Sequence, residues 1–104
     1  MASGTSVGDL VADTGKGAVL WVYVSPKSAK TYLEHVNGEL IFYSAASCKD
    51  HGVNHDLIRW FSKVVGVRPI IVKGWSARKK LLLFPGVSKE KVVRALLKHV
   101  RNSG

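Results

Sequence analysis

Apolar positions along this chain follow two rhythms. From Ala18 to Val24, Val19, Trp21 and Tyr23 alternate with Leu20, Val22 and Val24. This is the period of two that puts alternate side chains on opposite faces of a strand. Ser25-Pro26 closes that strand, because proline has no N–H to give to a ladder. Lys27 to Thr31 is a polar loop. Tyr32 to Val36 and Glu39 to Ser44 flank Asn37-Gly38, a pair suited to the positive φ angles of a two-residue hairpin turn. Ala45 to Val53 keeps no period, and Asn54 stands where a helix N-cap is expected. The rhythm then changes: Leu57, Ile58, Phe61, Val64 and Val65 recur at helical spacing until Gly66. Pro69 to Lys73 predicts a short strand, Gly74 to Lys79 a turn, and Lys80 to Phe84 a returning strand that Pro85-Gly86 breaks. Ser88 is the expected cap of a last helix whose inner face is Val92, Val93, Leu96, Leu97 and Val100.

Strands and helices mixed in this order predict an α+β fold, a small mixed sheet with two helices on one face, in a single domain over residues 18–104. Residues 1–17 are rich in Gly, Ser and Asp, with Val7, Leu10 and Val11 as their main apolar points. They predict a flexible arm with at most one helical turn around Gly8 to Ala12.

Composition narrows the class. A chain of 104 residues with 46% hydrophobic content buries enough surface to fold without a disulfide or structural metal. Its single cysteine, Cys48, excludes an internal disulfide and fits a reducing, cytoplasmic setting. The longest apolar runs, Ala18 to Val24 and Leu81 to Phe84, fall far short of the ~20 residues of a spanning helix. Met-Ala-Ser-Gly-Thr-Ser at the start has neither the basic nor the apolar segment of a secretory signal. The expectation is a monomer without membrane attachment or cofactor.

Charge changes the picture most. The formal net charge is +9, and it is unevenly placed. Residues 57–104 hold twelve Lys or Arg against the single acid Glu90, whereas residues 1–56 hold four Lys against six acids. Clustered cations repel one another unless an anion offsets them, and nucleic acid is the commonest such anion. The alternative is an acidic partner protein.

Two basic segments are candidate contacts. Between Lys73 and Lys80, Gly74, Trp75, Arg78 and Lys79 combine cations for phosphates, an aromatic ring for a base and a glycine that lets backbone come close. On the last helix, Lys91, Arg94, Lys98 and Arg101 are spaced to form one stripe opposite the apolar face. A third cluster, Cys48, His51 and His55, has ligand types that suit Zn²⁺ and is a weak candidate for a metal site or a Cys/His enzyme. Neither a pair of carboxylates nor a complete phosphate-binding glycine loop is present; Gly15-Lys16-Gly17 lacks the rest of that motif.

The motifs also carry a resemblance. Val22-Tyr23-Val24-Ser25-Pro26 after the first strand, Asn54 at the first helix, Gly74 in the late turn, and Arg78 and Lys80 before the last strand resemble the YggU-like family. The likeness runs from about Val19 to Val100, roughly four-fifths of the chain. Ala45 to Val53 lacks the prolines usual in the family's loop, its glycine is displaced by one position, and Ala77 replaces the usual serine. The resemblance implies a two-layer α/β domain with a mixed four-stranded sheet and two helices. The family has no established function, so the resemblance implies none.

Overall fold

The computed structural model describes residues 6–47 and 52–102. After a 3₁₀ turn at Val7–Leu10 come β1 (Val11–Thr14), β2 (Gly17–Ser25), β3 (Tyr32–Val36), β4 (Glu39–Tyr43), α1 (Gly52–Val65), β5 (Ile70–Lys73), β6 (Lys79–Pro85), α2 (Lys89–Leu97) and β7 (Arg101–Asn102). Among the described residues the class is α+β with two helices, but the sheet has seven strands rather than the four expected. Its order is β5-β6-β2-β4-β3-β7, with β1 also paired to β2.

β2 is the hub. β6 runs antiparallel along one edge of it, from Gly17 to Tyr23. Its other edge is shared: β1 pairs with its first half, Val11 opposite Leu20, and β4 runs parallel to its end, Tyr23 opposite Ile41. The hairpin read from Asn37-Gly38 is present, with φ of 51° and 75° at those residues and Tyr32 to Val36 paired against Tyr43 to Glu39.

The strands that escaped the pattern bury almost nothing. β1 buries Val11 alone, and both residues of β7 are exposed, so neither shows apolar alternation. β1 is instead held by its turn, where the Thr14 hydroxyl donates to the Gly17 carbonyl (2.6 Å) and accepts from Lys16 N–H (3.1 Å). From Ser6 onward the expected arm is therefore structured and packed, with Val7 and Val11 in the core. Ser6 and Asp9 cap the 3₁₀ turn reciprocally. The Ser6 N–H, then its hydroxyl, hold the Asp9 carboxyl below the usual carboxylate range.

One side of the sheet carries both helices. Ala18, Leu20, Val22 and Val24 of β2 join Leu33, Phe42, Leu82 and Phe84 in a single buried cluster with Leu57 and Phe61 of α1 and Val92 and Leu96 of α2. Phe61 lies at its centre, its ring centroid 6.0 Å from that of Phe42 and 5.9 Å from that of Phe84. Helix α1 begins at Gly52, so Asn54 sits within its first turn instead of capping it. Asp56 ties that turn to the loops below it, accepting from Ser44 Oγ (2.6 Å) and Thr31 Oγ1 (3.1 Å), and also accepts from the Arg59 guanidinium one turn along the same helix (3.4 Å). Ser88 caps α2 as expected, and Asp13 on β1 accepts a second bond from the Lys89 N–H (2.7 Å). Leu97, assigned to the inner face from its spacing, is 59% exposed, because α2 ends there and the chain turns away into β7. No helix among the described residues is long and apolar enough to cross a membrane.

Truncating Phe61 to Ala should lower unfolding free energy by about 3–5 kcal/mol, the usual cost of emptying an aromatic site in a core. Leu97→Ala should change it by less than about 1 kcal/mol. Denaturant melts of the two variants check the assignment of inner and outer positions.

Candidate functional site

Alternation along β6 sends its first two lysines to opposite faces of the sheet. Lys80 pairs with Val22 and follows it inward; Lys79 pairs with Tyr23 and stays outside. Lys80 is only 3% exposed, and a buried ammonium must find acceptors. It donates to the carbonyls of Gly74 (3.0 Å) and Trp75 (2.8 Å). Asn54 reaches the same place from α1, its Nδ2 donating to the Trp75 carbonyl at 3.0 Å. The β5–β6 turn is thus fixed from within, which makes Lys80 a structural anchor rather than an exposed phosphate contact.

Gly74 completes the lock. Its φ is +81°, and a Cβ there would collide with the carbonyl oxygen of Lys79. On the outside of the turn, Lys73, Arg78 and Lys79 are exposed and Trp75 is 46% exposed. The Arg78 carbonyl accepts from Val24 N–H at 2.8 Å, so its backbone is held while its guanidinium is presented outward.

Between this turn and the start of α1 lies a cleft of about 200 Å³ bounded by Val24, Pro26, Asn54, Trp75, Arg78 and Lys80. Residues far apart in sequence meet around it. Asn54 is buried, and its Oδ1 has no hydrogen-bond partner among the described residues.

The second basic segment is divided. Lys91 and Arg94 are exposed on α2, and Lys98 is exposed at its C-cap. Arg101, expected on the same helical stripe, belongs to β7, paired with Glu34, and its guanidinium lies 4.2 Å from the ring centroid of Tyr32. Helix α2 also leaves from the far end of β6, roughly 20 Å along that strand from the turn by the rise of an extended chain. The turn and the stripe therefore start from opposite ends of the sheet.

Of the third cluster, Cys48 and His51 lie outside the described residues; His55 is exposed on α1. Among the described residues, no three His, Cys, Asp or Glu side chains gather as a metal-binding group.

The sequence reading passed over the face of the sheet that carries no helix. Trp21 is 41% exposed there, with Tyr23 two residues along the same strand. Lys79 extends over both, its Nζ 5.0 Å from the Trp21 ring centroid and 5.5 Å from that of Tyr23. A cation over an exposed ring contributes about 0.5–1 kcal/mol, weak enough to be exchanged for another partner. Further across, Tyr43 and Tyr32 stack at 4.6 Å, and Tyr43 donates to Glu34 at 3.0 Å. That bond, then desolvation, holds the Tyr43 phenol above its ordinary pKa. The alternation of Val19, Trp21 and Tyr23 was the available signal; what the chain alone did not reveal was which face the helices cover.

Compared with models of known protein families, the chain matches none. The geometry of the turn makes its own prediction. Gly74→Ala should lower stability by at least about 1–2 kcal/mol, the cost of a side chain in left-handed backbone, with the clash against Lys79 added. Gly15→Ala, with open space around the new Cβ, should stay within about 0.5 kcal/mol of the parent. Thermal or denaturant unfolding distinguishes the two.

Proposed function

We propose that this chain is a non-enzymatic module that binds single-stranded nucleic acid, RNA foremost, acting as a cytoplasmic monomer. The observation that supports the reading is the β5–β6 turn, where Lys73, Arg78 and Lys79 stand exposed around an exposed Trp75 on a backbone held from inside by Lys80. Cations on a preorganised turn neutralise phosphates without first having to be ordered, and an exposed indole beside them is a side chain on which bases stack. The mode is phosphate neutralisation with stacking and little reading of base edges. Lys91, Arg94 and Lys98 on α2 add positive field at a distance rather than contacts at the same site. The likeness to YggU-like proteins forms part of the proposal, supported by the meeting of Val24, Pro26, Asn54, Arg78 and Lys80 around one cleft.

Fluorescence anisotropy of a labelled RNA oligomer across a salt series tests the reading. Neutralising three phosphates on a single strand gives a slope of about −2 for log K against log salt. The chain should bind in the micromolar range with about that slope, and the Trp75→Ala, Arg78→Glu double variant should bind at least tenfold more weakly. Absence of binding at about 0.15 M salt, or equal binding by the double variant, overturns the reading and turns attention to an acidic partner protein.

A further inference from the structure

We infer that the helix-free face of the sheet is a base-stacking platform, with Trp21 and Tyr23 as its rings and single-stranded nucleic acid as its occupant. The inference rests on the proposal for the β5–β6 turn and extends it to a surface that the turn alone does not include. Lys79 connects the two. It opens β6 directly after the turn, and its ammonium lies over both rings. A strand whose phosphates rest on Lys73, Arg78 and Lys79 therefore delivers its next bases to Trp21 and Tyr23.

The rings suit that use. They lie two residues apart on one strand, about 6.8 Å along it, so successive bases of an extended chain can each meet one. A hollow of about 180 Å³ opens beside them, bounded by Leu10, Glu39 and Lys79, with room for one base. Glu39 lies on its rim, an acceptor suited to a base's N–H donor, such as N3–H of uracil or thymine, and not to phosphate. The ammonium over the rings is an exposed cation–π contact, weaker than a stacked base, and a phosphate compensates it once displaced.

Charge selects this occupant over a second copy of the chain. A face-to-face pair would bring Lys73 and Lys79 toward their own equivalents in a chain of net charge +9, whereas a polyanion relieves that repulsion.

The test compares two ligands of equal charge: oligo(U) or oligo(dT), and an abasic strand of the same length. The parent chain should prefer the strand with bases by at least about fivefold, the lower end of one stacked base. Trp21→Thr, which keeps a strand-forming residue, should abolish most of that preference while the salt slope stays that of the parent; Trp21→Phe should restore part of it. Independently of folding in any variant, an oligomer carrying 5-iodouracil should photocross-link to Trp21 or Tyr23 in the parent chain. Binding of the parent with no preference for bases, an unchanged preference in Trp21→Thr, or cross-links confined to other residues overturns the platform and leaves the turn proposal standing. Failure of the parent to bind any strand overturns both. A dimer that Trp21→Thr converts to monomer also overturns the platform, since a second copy would then occupy the face.

Discussion

A lysine buried under a sheet has to be surrounded by oxygen, and in this protein that requirement organises the region where the chemistry lies. Lys80 reaches inward between β6 and α1 and takes the carbonyls of Gly74 and Trp75. The turn can close over the ammonium because Gly74 accepts a positive φ and carries no Cβ to meet Lys79. Asn54, brought in by the first turn of α1, adds its amide to the Trp75 carbonyl. Strand, turn and helix are thereby fixed to one another through a few polar contacts in an otherwise apolar core.

The same alternation has a second consequence. With Lys80 inside, Lys79 must point outward, onto the face where Trp21 and Tyr23 lie. Two neighbouring lysines that look equivalent in the sequence therefore serve opposite ends, one as an internal anchor and one as an exposed cation over aromatic rings. The outer face carries Trp21, Tyr23 and Lys79 among the half-buried Val19, Leu81 and Leu83, while Leu20, Val22, Leu82 and Phe84 of the same two strands face the core.

Much of this was legible in the chain. The alternation of β2, the Asn37-Gly38 turn and the Ser88 cap were readable because each rests on a local rule. The two short strands were not: β1 buries one residue and β7 none, so neither leaves a run of alternating apolar positions to read. Arg101 was read as helical because its spacing from Lys98 fits a helix, yet α2 ends at Leu97 and the spacing continues by accident. Lys80 was grouped with its exposed neighbours because charge is visible in a sequence and burial is not. Which face of β2 lies open depends on where both helices settle, a tertiary outcome that no single strand encodes.

Three tryptophans at distinct places make the most direct test possible. Trp75 is in the turn and Trp21 on the open face, while Trp60 packs against Phe42 and Phe61 on the helix side. In a ¹H–¹⁵N correlation spectrum titrated with an RNA oligomer, the indole signals of Trp75 and Trp21 should move together with the backbone amides of residues 73–79, and that of Trp60 should stay in place. Shifts confined to α2, or no shifts, would contradict the account.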